Sequence, residues 1–269
     1  MIKGMKKFAV LLLALAVFAL LCGISCAEAE SGTCGENLTW TLESNVLTIS
    51  GTGEMTITGN APWDRNRADI TTVVIDSGVT SIGNNAFFNH SSLTSVSIPG
   101  SVTKIGGGAF MNCSSLAGIA LPDNLTDIGR LAFAHCSSLE SVTIPNGVTG
   151  IGHNAFQECT SLKSITIPDS VTSIGDVAFS GCTGLTEVTI PESVTRIGIF
   201  AFERCFHLTQ ITIPDSVTEI GRMAFSETGW YDAQPELSWL REKAYAYLKP
   251  KRVAHVAGCE NEAVMLAVY

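Results

Sequence analysis

Phenylalanine recurs every 23 residues, at Phe87, Phe110, Phe133, Phe156, Phe179, Phe202 and Phe225, and alanine precedes it each time. Three residues before each alanine stands a glycine, from Gly83 to Gly221, itself preceded by isoleucine. Leucine (Leu93, Leu116, Leu139, Leu162, Leu185, Leu208) and proline (Pro99 to Pro214) keep the same period. A period of this length means stacked supersecondary units, because one unit cannot bury its own apolar side. The expected fold is a repeat solenoid, mostly β with short helical or 3₁₀ turns, in seven 23-residue coils over residues 70–229.

One coil can be read in detail. In "LESVTIP", Leu139, Val142 and Ile144 face inward and Thr143 outward, the alternation of a short strand. Pro145 ends the strand because it has no N–H for the ladder, and "NG" turns the chain. "VTGIG" is a second extended segment, where Gly152 permits either a positive φ or a close backbone approach. "HNAFQECTSL" makes one helical or 3₁₀ turn and carries Phe156 into the core. Burying such a ring stabilises by roughly 1.5–3 kcal/mol. The repeated apolar letters are core, so function must lie in letters that vary and point outward.

Cys113, Cys136, Cys159, Cys182 and Cys205 also recur every 23 residues, with His90 in the same slot of the first copy. Zinc needs about four ligands converging on one point, whereas this column is a straight ladder. A disulfide between rungs brings Cβ atoms to about 3.5–4.5 Å, which parallel side chains reach only under strain. The third reading is a stack of small buried hydrophobes. We assign the five cysteines to the structural core with the seven phenylalanines. Cys34 and Cys259 lie outside the ladder, free or paired. In an exported chain most cysteines pair, so the ladder is anomalous there.

Catalytic signals are weak. His90, His135, His153, His207 and His255 fall at different phases and in no nucleophile or metal signature. Gly106, Gly107 and Gly108 are followed by no lysine and no long helix. No catalytic residue, cofactor or metal is expected. The column after proline (Gly100, Asp123, Asn146, Asp169, Glu192, Asp215) reads as turn chemistry before it reads as a calcium ladder. The outward strand column places Ser97, Thr143, Thr166, Thr189 and Thr212 on one nearly uncharged face, beside Ser95, Ser141, Ser164, Glu187 and Gln210. That composition suits strand propensity alone, or an extended ligand-binding face. Sequons occur at Asn37, Asn89, Asn112 and Asn124.

The ends differ from the array. Lys3, Lys6 and Lys7 precede an apolar run, Phe8 to Leu21, and small residues follow, which is the layout of a secretory signal over residues 1–29. Cys26 would accept a lipid after a lipoprotein-type cut, but Gly23 stands where such signals carry leucine. Removing the leader takes three lysines and Glu28 from a net charge of −9, leaving −11 and no basic tract. Nucleic acid and acidic membrane surfaces are thereby disfavoured as partners, and no membrane span is expected after cleavage. Residues 30–69 alternate like a β-hairpin cap: Trp40 and Leu42 face Leu47 and Ile49 across "ESN". In residues 230–269, Leu237, Leu240, Ala244 and Leu248 share one helical face ahead of Pro250, as in a capping helix, or the segment is a truncated array.

The unit "CSSLxSVTIPxxVTxIGxxAFxx" resembles the BspA-like, or treponemal-type, leucine-rich repeat of bacterial surface proteins. The resemblance covers residues 70–229, and the segment before them is similar to the module that precedes such arrays. It implies a secreted or cell-surface, non-enzymatic interaction module. The implied role is adhesion to a protein or glycan ligand on host matrix, host cells or other bacteria; the alternative is a structural spacer that binds nothing.

Overall fold

The computed structural model describes residues 29–232. The expected leader and the helix through Leu237 and Leu248 lie outside them. The chain begins with three antiparallel strands, β1 (Glu30–Thr33), β2 (Leu38–Glu43) and β3 (Val46–Gly51). Trp40 pairs with Ile49 and Leu42 with Leu47 across a two-residue loop. Ser44 and Asn45 both have positive φ, at 48° and 69°, as the tight hairpin demands. The hairpin is the first rung of the solenoid, because β3 pairs in parallel with β5 (Thr72–Ile75), which pairs with β7 (Ser95–Ser97).

Each later coil laps the same apolar interior. The first face continues through β10 (Ser141–Thr143) paired with β12 (Ser164–Thr166), and β14 (Glu187–Thr189) paired with β16 (Gln210–Thr212), all parallel and offset by 23 residues. The intervening coil has only a bridge from Gly118 to Ser141. There Gly118 and Ala120 replace the Ser and Thr of neighbouring coils, and both residues are poor strand formers. The second face is a column of short strands: β4 (Gly53–Glu54), β6 (Val79–Ile82), β8 (Lys104–Ile105) and β9 (Asp127–Ile128). It continues with β11 (Gly150–Ile151), β13 (Ser173–Ile174), β15 (Arg196–Ile197) and β17 (Glu219–Ile220). Hydroxyls stitch the coils along this face: Thr126, Thr172 and Thr195 each donate to the carbonyl of the threonine one coil back, at 3.1–3.3 Å. Each such bond contributes about 0.5–1.5 kcal/mol.

The third side is a corner of hydrogen-bonded turns whose amide groups divide their work. Asn85, Phe87 and Asn89 donate to carbonyls of the next coil, while Ala86, Phe88 and His90 donate three residues back within their own. This alternation of between-coil and 3₁₀-type bonds satisfies the N–H groups of residues 85–90 from the backbone alone, while the N–H one position earlier in a corner can go to a side chain, as Ile199 N–H does to Asp176 Oδ1. Two positions per corner are forced into the left-handed region: Asn85 and Asn89, Leu131 and His135, Val177 and Gly181, Phe200 and Arg204. The repeated glycine is not one of them. At Gly198 an added Cβ would clash with the Asp176 amide nitrogen, so that column serves close approach between coils.

The corner holds the core. The seven phenylalanine rings are buried and form one offset stack, with centroids 5.1–5.5 Å apart and interplanar angles of 3–21°. Each neighbouring pair contributes about 0.5–1.5 kcal/mol beyond burial. Trp63 stacks on Phe87 at one end, and Trp230, in the short helix α1 (Gly229–Asp232), meets Phe225 edge-on at the other. No helix among the described residues is long and apolar enough to cross a membrane.

Candidate interaction surface

The first strand face carries the outward columns. Ser97, Thr143, Thr166, Thr189 and Thr212 are all exposed, as are Ser95, Ser141, Ser164, Glu187 and Gln210 beside them. Parallel register brings Thr143 opposite Thr166 and Thr189 opposite Thr212, so their hydroxyls repeat at the strand spacing of roughly 4.8 Å. Ser97 stands apart from these pairs, separated by the coil that lacks a strand. Charge enters this face at Glu187 and at the Glu140–Lys163 ion pair, 2.8 Å long, where the ammonium holds the Glu140 carboxyl below its ordinary range. The face is therefore a short hydroxyl array with Glu187 within it and one ion pair on its border, suited to hydrogen bonding.

The cysteine column lies inside. Cys113, Cys136, Cys159, Cys182 and Cys205 are buried and unpaired. Each thiol donates to a phenylalanine carbonyl 26 residues earlier, as Cys136 Sγ does to Phe110 O at 3.1 Å and Cys159 Sγ to Phe133 O at 3.2 Å. The slot needs a small apolar body with one donor. Burial pushes the Cys113 thiol up to about 12 and raises Cys136, Cys182 and Cys205 well above the usual range, so thiolate chemistry is suppressed. Thr228 fills the slot after the last cysteine and donates to Phe225 O at 2.8 Å. Sequence reasoning missed this donor role because the acceptor is a backbone carbonyl one coil away.

Cys34 is buried in the N-terminal module and unpaired, and its thiol is pushed up to about 11 by burial. His90, in the cysteine slot, is also buried; its Nδ1 lies 3.2 Å from Phe88 O, and Nε2 has no partner among the described residues. The residues after proline, Asp123, Asn146, Asp169, Glu192 and Asp215, are exposed turn positions. Among the described residues, no three His, Cys, Asp or Glu side chains gather as metal ligands would.

Comparison with known proteins agrees with this geometry. The model of the BspA type leucine-rich repeat region matches residues 65–184 and 149–233, in six copies. A leucine-rich cell surface protein of Faecalibacterium prausnitzii shares 32% identity at a TM-score of 0.56, over 74% of this chain and 68% of that one. A leucine-rich repeat protein of Bacteroides ovatus shares 29% at 0.50, over 72% and 56%, so this chain spans little more than half of it. The leucine-rich repeat protein of T. pallidum shares 27% at 0.51, over 70% and 89%. No curated protein matches the chain. On the family match and the F. prausnitzii relative together, the chain belongs to the BspA-type leucine-rich repeat family.

Proposed function

We propose that the chain is a secreted or cell-surface interaction module, an adhesin whose ligand is a protein or glycan of a host or bacterial surface. The observation that carries the reading is the exposed hydroxyl column, aligned by parallel register at Thr143–Thr166 and Thr189–Thr212. Solenoids use such repeated outward positions as extended binding surfaces. A relative that is a cell surface protein, and a leader layout in residues 1–29, support placement outside the cell. The spacer reading draws on the interruption at Gly118 and Ala120, which shortens any continuous face.

The test is binding of purified residues 30–269 to an array of matrix proteins, glycans and bacterial surface extracts at physiological salt. Saturable binding that Thr143→Lys with Thr166→Lys and Thr189→Lys abolishes, with the melting temperature unchanged, is the expected result. Silence across the array from folded protein would transfer the reading to a spacer.

A further inference from the structure

The corner positions change along the array. In the first two coils they hold Asn84, Asn85 and Ser91, then Gly107, Gly108 and Ser114. In the coil of Phe202 the same positions hold Ile199, Phe200 and Phe206. Ile199 and Phe206, 39% and 46% exposed, are the large hydrophobic side chains left open to solvent among the described residues. Both aromatic rings are already engaged on one side: Arg204 lies 5.9 Å over Phe206 and Arg222 lies 5.7 Å over Phe200. Phe200 and Arg204 also sit at φ 57° in the left-handed slots that Asn85 and Asn112 occupy with less strain. Exposed Ile199 and Phe206 add nothing to the packing of the solenoid, which points to a partner.

The charges on this edge narrow the partner. Arg204 reaches Glu158 at 4.0 Å across Gly181, whose missing side chain leaves the path open. Arg196 bridges Asp176 and Glu219 at 3.7 and 3.3 Å. Glu203 and Glu227 have no ion-pair partner among the described residues, and the Glu203 carboxylate accepts a hydrogen bond from the Ser180 hydroxyl at 3.4 Å. Burial and the neighbouring Glu227 raise the Glu203 carboxyl, while the Ser180 hydroxyl and Arg204 oppose them. The unmatched charge beside the apolar groups is negative.

We propose that this edge docks a protein segment presenting a basic side chain on an otherwise apolar face, with Lys or Arg against Glu203 and Glu227 and apolar groups over Ile199 and Phe206. Fully desolvated aromatic and arginine groups dominate such contacts. The surface is separate from the hydroxyl face, and either reading stands without the other.

The experiment uses the full chain and two helical probe peptides, one built of Leu and Lys and one of Leu and Glu, followed by fluorescence anisotropy at physiological salt. The Leu/Lys peptide is expected to bind, with affinity falling at least tenfold in Glu203→Gln with Glu227→Gln, and again in Ile199→Asn with Phe206→Ser. Asp123→Asn removes an acidic charge elsewhere and is expected to change nothing. The glutamine pair relieves repulsion and keeps the core intact, so it carries the test if the apolar pair disturbs folding. Equal binding of the Leu/Glu peptide, or affinity indifferent to both pairs, overturns the proposal. So does a glycan signal, or a self-associated species in sedimentation, that Phe206→Ser abolishes, because either would assign the edge to a different occupant.

Discussion

The first and last coils share a backbone but fill it differently. At the two left-handed corner positions the first coils use Asn85, Asn89, Gly108 and Asn112, residues that tolerate positive φ. The later coils place Val177, Phe200, Arg204 and Met223 in those slots, at φ 55–59°. The backbone does not yield, because the ladder of between-coil bonds, such as Val177 N to Ile199 O at 2.8 Å, sets it. A repeat therefore specifies conformation through its neighbours, and individual letters are free to depart from local preference at a cost of roughly 1–2 kcal/mol each. The departures begin at Leu131 in the third coil and run on through the coil of Ile199 and Phe206.

The largest expected effect lies in the shared core and should distinguish its middle from its end. Phe156→Ala removes a ring stacked on both sides and is expected to cost about 3–5 kcal/mol in denaturant unfolding. Phe225→Ala, stacked on Phe202 and met edge-on by Trp230, should cost less by about 0.5–1.5 kcal/mol. Equal costs would mean that the stack is not cooperative along its length.

Exchanging corner residues between early and late coils has a smaller effect. Asn85→Val should destabilise by about 1–2 kcal/mol, and Val177→Asn should stabilise by about 1 kcal/mol, both read from the unfolding midpoint. Two losses would show that the later coils have adapted their packing to the bulky residues.

The cysteine slot offers a smaller contrast between the first coil and the rest. Burial lowers the affinity of folded-state His90 for a proton, with Arg67 acting in the same direction. Asp64 and the carbonyls of Phe88 and Phe87 act in the opposite sense. Its folded-state pKa lies below the unfolded value of about 6.5, so the unfolded chain binds the proton first. Stability tied to His90 is present above about pH 6.5 and is lost as pH falls toward the folded-state value. His90→Cys should remove that part of the pH dependence in a thermal melt series; an unchanged profile would clear His90 of the role. The smallest effect on stability, on the order of 1 kcal/mol, is expected for Cys159→Ala, and Cys159→Ser should recover part of it by donating to Phe133 O.

Much of the fold was legible because its determinants repeat. The period, the inward Phe, Leu and Ile columns and the Trp40–Ile49 hairpin register follow from spacing alone. The corner conformation did not, because Leu131 and Val177 hide the left-handed slot that Asn85 and Asn112 advertise. The ends of the ring stack were also hidden, since Trp63 lies one position away from the phenylalanine phase and Trp230 several. Of the candidate surfaces, the hydroxyl column was readable from strand alternation. The Ile199–Phe206 edge was not, because exposure at the corner depends on which residues the between-coil bonds turn outward.

The most direct test gives the last coils the corner letters of the first. Ile199→Asn, Phe200→Asn and Phe206→Ser together reproduce the pattern of Asn84, Asn85 and Ser91. The expected result is a melting temperature that holds or rises, together with loss of the Leu/Lys peptide. A lower melting temperature with peptide binding intact would contradict it, showing that these side chains serve the solenoid itself.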